Sequence, residues 1–222
     1  MSVTPHLSSR RVRRSALAAA VVCALGLPAA SAGTASAATT STAPTTTAAP
    51  RTAATGSVVG VPSLDVDRYL GSWYQYAAVP AVFELQCAKD AKANYSLTGT
   101  GTVRVVNTCR TWFGGTSSVT GEATVLNAPA SSELNVSFLR LGSSYVHLGG
   151  ANYVVVGLGA DYDWAVVGDP SHLSGFVLSR TPDLTPAQLA QVRSAIVGAG
   201  YQLSQFHLTP QTGGQSSRGA LG

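Results

Sequence analysis

The chain has 222 residues, 45% hydrophobic and 11% charged, with 14 Lys and Arg against 10 Asp and Glu, a formal net charge of +4. That excess sits at the start, in Arg10, Arg11, Arg13 and Arg14. Without those four the chain is formally neutral, and it lacks the basic stripe with which a nucleic-acid binder meets phosphates.

The arginines are followed by an apolar run, 16–28, and then by small residues. A basic flank, a short apolar core and a small-residue exit read as a secretory signal peptide over 1–37, cleaved after Ala32 or Ala37. The apolar run is too short to span a membrane. Cys23 follows Val22 rather than the small residue a lipoprotein anchor site needs, and no bulky apolar pair follows the arginines as twin-arginine export requires. General secretion to the outside or the cell envelope is the expectation. Residues 38–62 are Thr, Ala, Ser and Pro with almost no charge or large apolar group, a composition that cannot offset the entropy of ordering and reads as a disordered spacer. The remainder, a domain over 63–211 and a flexible tail over 212–222, is long enough for one core.

The domain opens on SLDVDRYLGSWYQYAAVP: a polar turn, a hydrophobic corner at Tyr69 and Leu70, Gly71, then a strand over 73–79. Trp73, Gln75, Ala77 and Val79 share one face by the period of a pleated strand. A buried tryptophan needs a partner for its indole N–H and suits a plug, and the small residues beyond it leave room above the plug. Further strand-like runs follow at 91–97, 102–110, 118–126, 133–139, 152–158, 164–168 and 175–179, with an additional short strand or loop at 145–148. The turn Thr98-Gly99-Thr100-Gly101 makes the first two of these a hairpin. Short strands at regular spacing read as an antiparallel barrel or sandwich. Helical rhythm occurs once, where Thr185, Pro186 and Gln188 form a cap and capping box. Leu189, Val192, Ile196 and Val197 then fall on one face, and a last strand is expected within 203–208.

Three short motifs punctuate this order. Gly71-Ser72-Trp73 resembles the G-x-W signature of the lipocalins, in the branch that includes bacterial lipocalins and apolipoprotein D. Asp161-Tyr162-Asp163 resembles that family's T-D-Y turn, with Ala160 where threonine is usual. Ser179-Arg180-Thr181-Pro182 resembles its third motif, whose arginine crosses the closed end over the tryptophan. The resemblance implies an all-β fold: an eight-stranded antiparallel up-and-down barrel with one C-terminal helix packed outside. It implies structural rather than catalytic roles for Gly71, Trp73, Asp161, Tyr162 and Arg180, with a cation–π plug between Arg180 and Trp73.

With Cys23 in the leader, Cys87 and Cys109 form an even pair in an exported chain, which reads as a disulfide. Up-and-down topology brings both to the open end. Alternation places Gln75, Ala77, Ala93, Tyr95, Leu97, Val103, Val105, Asn107, Val119, Ala123, Val136, Phe138, Tyr153, Val155, Val166, Phe176 and Leu178 inward, an apolar lining with few polar handles. His147, His172 and His207 are dispersed, and His147 near a loop is the one haem-ligand candidate. Asp161, Asp163 and Asp169 are turn residues that could gather around calcium. No hydrolase, phosphate-loop or zinc motif is present, so no metal or cofactor is expected. Three readings stand: a secreted monomer that carries or sequesters a fatty acid, lysolipid, polyene or terpenoid; an isomerase or haem-dependent enzyme on the same scaffold; and an interaction protein whose outer face or stalk docks at the cell envelope with an empty lumen. Membrane or cell-envelope lipids are the further partner class.

Overall fold

The computed structural model describes residues 58–222. The expected leader and most of the spacer lie outside them. Eight antiparallel strands form the barrel wall in sequence order: β1 (Gly71–Ala78), β2 (Cys87–Leu97), β3 (Val103–Thr111), β4 (Thr116–Val125), β5 (Glu133–Ser137), β8 (Tyr153–Leu158), β9 (Trp164–Gly168) and β10 (Gly175–Ser179). Pairing of β10 with β1 closes the circle. The long β5–β8 connection carries a two-stranded ribbon, β6 (Arg140–Leu141) and β7 (Ser144–Tyr145), which stands where the extra strand at 145–148 was expected. A four-residue helix, α1 (Val66–Tyr69), precedes β1; Asp65 caps it by accepting from the Arg68 N–H at 3.2 Å.

Helix α2 (Pro186–Gly198) packs outside, capped as expected by Thr185 with Gln188. Val192 and Ile196 are fully buried, but Val197 is 59% exposed and lies off the packed face. The helix comes close to β8 at Gly157, where an added Cβ would stand 2.5 Å from the Ala195 methyl. Two apolar clusters result. One fills the barrel interior around Trp73, Tyr95, Val105, Val155 and Leu178; the other joins the wall to α2 and the C-terminus through Tyr76, Val166, Val177, Ile196 and Phe206.

The final residues depart from expectation. After a 3-10 turn at Leu203–Gln205, β11 (His207–Leu208) pairs with β1 at Ala77 and Ala78. Residues 212–222, expected as a flexible tail, return to the barrel: Leu221 is buried, Ala220 bridges His207, and the Leu221 carbonyl accepts from Arg193 at 2.9 Å. Strands β1 and β2 pair only from Gly71–Tyr95 to Tyr74–Lys92 and part above that point. The backbone groups so released need partners, and the C-terminal segment supplies them. Gln211 donates to the Gln75 and Ala91 carbonyls at 2.9 and 3.0 Å, and the Thr209 N–H donates to the Tyr76 carbonyl at 2.9 Å. At the other end of the domain Val58, assigned to the spacer, is buried, and the Val61 N–H donates to the Val155 carbonyl.

Candidate ligand-binding site

One end of the barrel is shut. Trp73 has no solvent exposure and donates its indole N–H to the Tyr69 carbonyl at 2.8 Å. The Arg180 guanidinium lies over its ring, 3.7 Å from the centroid, and donates to the carbonyls of Ser72, Arg68 and Leu70, each at 2.8 Å, and of Tyr162 at 3.3 Å. Gly71 holds φ of +88°, a conformation open to glycine at little cost, which turns the chain from α1 into β1 beside this guanidinium. Tyr162 accepts from the Asp65 N–H and carries Arg68 over its ring, while Asp163 takes a 2.5 Å hydrogen bond from Gln188 of α2. The three motifs thus meet at the closed end of the barrel.

Above Trp73 lies a cavity of about 590 Å³, within the range of small-molecule sites. Its wall includes Gln75, Ala93, Tyr95, Val103, Val105, Asn107, Val119, Ala123, Val136, Phe138, Tyr153, Phe176 and Leu178, all placed inward by alternation. Four expected lining residues are elsewhere. A bulge between Gln75 and Ala77 shifts the register, so Ala77 pairs with Val177 and faces the outer cluster. Val166 also belongs to the outer cluster, because both faces of β9 are buried and its apolar run carries no alternation to read. Val155 faces inward but is sealed in the floor with Trp73, below the cavity wall, and Leu97 is half exposed at the closed-end turn.

Among the lining groups that alternation did not name, two matter most for the chemistry of the site. Tyr69 reaches the floor from α1, outside any strand period; its position four residues before Trp73 was the available signal. Its hydroxyl is 2.8 Å from that of Tyr153, which is 3.1 Å from that of Tyr95. The rings of Tyr69 and Tyr95 stack at 5.7 Å. Burial raises all three phenols, Tyr95 to about 12, so they are neutral donors near pH 7. The second missed group is Glu84, in the 3-10 turn Val82–Glu84 of the β1–β2 loop, signalled only as a lone carboxylate between Phe83 and Leu85. Burial raises its carboxyl above 4.5 despite a 3.3 Å donation from Gln75. The Asn107 Oδ1 is buried without a partner.

Cys87 and Cys109 are bonded at the mouth, with Cα atoms 5.6 Å apart, joining the start of β2 to the end of β3. His147 is not among the cavity-lining residues; it contacts Asn135 and Glu122 instead. Asp169 sits at the mouth end of β9, whereas Asp161 and Asp163 sit in the turn at its other end, so the three do not converge.

This geometry, a sealed floor, an apolar chamber and one open mouth, defines a cup-shaped barrel. A lipocalin-like domain model matches residues 64–211. Over 154 residues the chain is 32% identical to temperature-induced lipocalin-1 of Arabidopsis thaliana, covering 68% of this chain and 82% of that protein. It is 31% identical over 157 residues to the outer membrane lipoprotein Blc of Escherichia coli K12, covering 70% and 84%. Among solved structures, the cockroach allergen Per a 4 superposes with a TM-score of 0.53 at 19% identity, covering 69% of this chain and 92% of that one. The tryptamine complex of the amine-binding protein of Rhodnius prolixus gives 0.51 at 17%, covering 68% and 84%. The chain belongs to the lipocalin family.

Proposed function

We propose that this protein is exported and binds a small hydrophobic molecule in the barrel lumen, carrying or sequestering it as a monomer. The observation that carries this reading is the apolar chamber of about 590 Å³ above a sealed floor. Apolar area withdrawn from water drives such binding at about 25 cal/mol per Å², and the sparse polar groups set orientation. Fatty acids, lysolipids, polyenes and terpenoids are the classes that suit the lining. Membership in a family of binding proteins favours this over catalysis, and so does the lining, whose ionisable groups are Glu84, Lys92 and the three tyrosines. A disulfide across the mouth supports an oxidising compartment. Native mass spectrometry of protein from its own secretion medium, followed by organic extraction, tests the reading. A stoichiometric apolar species supports it; an empty protein that also fails to enhance the fluorescence of N-phenyl-1-naphthylamine overturns it.

A lipid surface as the source of that molecule is favoured by the rim. Val82, Phe83 and Leu85 in the β1–β2 loop, Trp112 and Phe113 in the β3–β4 turn and Leu173 between β9 and β10 are each 58% exposed or more. Closed-end loops instead carry Asp65, Asp67, Asp161, Asp163 and Asp183 against Arg68 and Arg180. A bilayer with anionic lipid repels that end and leaves the mouth to approach.

A further inference from the structure

The cavity is polar at both ends, and the two ends differ in what they accept. At the floor, the hydroxyls of Tyr69, Tyr95 and Tyr153 make two mutual contacts, 2.8 and 3.1 Å. Three neutral phenols bring three O–H donors, and two contacts use two of them. Among the described residues no other group lies within hydrogen-bonding distance of these oxygens, so at least one donor is left for whatever fills the chamber. Below them, Arg180 meets only backbone carbonyls, with no carboxylate at ion-pair distance among the described residues. Its positive field reaches Tyr69 and Tyr95, drawing both phenols down against the rise from burial. The floor therefore offers hydrogen-bond donors in a positive potential.

The mouth offers the reverse. Glu84 lines it with an amide, Gln75, as its side-chain partner and no cation at ion-pair distance among the described residues. The Asn107 Oδ1, an unpartnered acceptor, lies midway along β3 and belongs to neither end. The one lysine on the wall, Lys92, places its ammonium over the Tyr74 ring, 4.3 Å from the centroid. A carboxylate left at the mouth would meet another carboxylate; at the floor it meets donors and a cation below.

We propose that the lumen takes a long-chain amphiphile carboxylate end first, the carboxylate oxygens accepting from the Tyr69–Tyr95–Tyr153 hydroxyl cluster. This rests on the lumen-binding reading above. A ligand held this way has its tail toward the Phe138 and Phe176 side of the wall and leaves by the tail, so the polar group parts from the protein last. Chain ends carrying a cation are disfavoured at the floor and drawn to Glu84.

The test uses the full mature chain and displacement of N-phenyl-1-naphthylamine, a neutral probe, by dodecanoate, dodecan-1-ol and dodecylammonium at pH 7.5. Dodecanoate is expected to bind most tightly of the three. The triple variant Tyr69→Phe, Tyr95→Phe, Tyr153→Phe, which removes every hydroxyl of the cluster, is expected to weaken dodecanoate about tenfold while the probe itself changes by less than about twofold. Tyr95→Phe with Tyr153→Phe, which leaves one hydroxyl for two carboxylate oxygens, provides the same comparison should the triple variant fail to fold. Glu84→Gln is expected to weaken dodecylammonium, whose cation the mouth carboxylate draws, and not to tighten dodecanoate. The inference is overturned if the probe binds but dodecanoate is indifferent to both tyrosine variants. It is equally overturned if Glu84→Gln tightens dodecanoate about tenfold, which places the carboxylate at the mouth. Either result leaves lumen binding intact, whereas failure of the probe to bind sinks the lumen reading itself.

Discussion

The two ends of this barrel are built on opposite rules. At the closed end every element is held by directed bonds: one guanidinium satisfies four carbonyls, an indole N–H finds a carbonyl, and Asp163 ties the turn to α2. At the mouth, large apolar side chains stand in water, and the β1–β2 and β3–β4 loops are tied to each other by the disulfide and by the Trp112 N–H donating to the Leu85 carbonyl at 2.9 Å. Apolar surface left exposed beside a chamber has no folding purpose. Mutations at the closed end are expected to act on stability and those at the exposed rim on the uptake from a lipid surface proposed above.

The sharpest break is Trp73→Ala. It removes a fully buried indole from beneath Arg180 and opens the floor, and large-to-small changes of this kind cost about 3–5 kcal/mol. Denaturant unfolding is expected to show that loss, with ligand affinity falling alongside it because the floor is shared. Next comes Cys87→Ser with Cys109→Ser. The bond spans 22 residues, and restricting the unfolded chain over such a loop contributes about 3 kcal/mol. Reduction is expected to lower the unfolding midpoint clearly; an unchanged midpoint would mean that the bond adds no restriction to the unfolded chain.

These same two regions divide what could be read in the sequence from what could not. The closed end was legible because its chemistry is carried by contiguous motifs: Gly71 to Trp73, Asp161 to Asp163 and Arg180 each keep their meaning without any knowledge of register. The wall was legible wherever strands alternate, as from Val103 to Asn107. It failed at Ala77, where a bulge resets the period, and at Val166, where α2 buries the outer face and erases the contrast between the sides of β9. Tyr69 and Glu84 escaped because they reach the cavity from a short helix and a loop, to which no period applies. The closing role of residues 209–221 had no local signature at all. It depends on where β1 and β2 part, a property of two strands together.

A smaller effect isolates recognition. Phe113 is fully exposed at the tip of the β3–β4 turn, so Phe113→Ala is expected to change unfolding free energy by less than about 0.5 kcal/mol. Burial of one aromatic ring in lipid is worth about 1.5–3 kcal/mol. Partitioning onto vesicles of phosphatidylcholine with phosphatidylglycerol is therefore expected to weaken about tenfold, measured by co-sedimentation. Unchanged partitioning would remove the rim from the account of where ligand is taken up.

The smallest expected effects come from two mouth carboxylates of opposite sign. For Glu84, burial is the larger influence and Gln75 only partly offsets it, so the folded protein holds this proton more tightly than the unfolded chain. Stability from this group therefore falls as pH rises from 4.5 toward the raised folded value, and is level on either side of that window. For Asp169, burial alone would raise the carboxyl, but donations from the Ser171 N–H at 2.7 Å, the Ser174 N–H at 2.6 Å and the Ser171 hydroxyl together outweigh it and hold it below 3.8. Its contribution is complete above 3.8 and is lost as pH falls through the depressed folded value. Unfolding midpoints across pH 3–7 should thus lose the downward slope above 4.5 in Glu84→Gln and the acid-side loss in Asp169→Asn. If Glu84→Gln leaves the upper slope in place, Glu84 is solvated at the open mouth, and the polarity difference between the two ends of the cavity rests on the tyrosine floor alone.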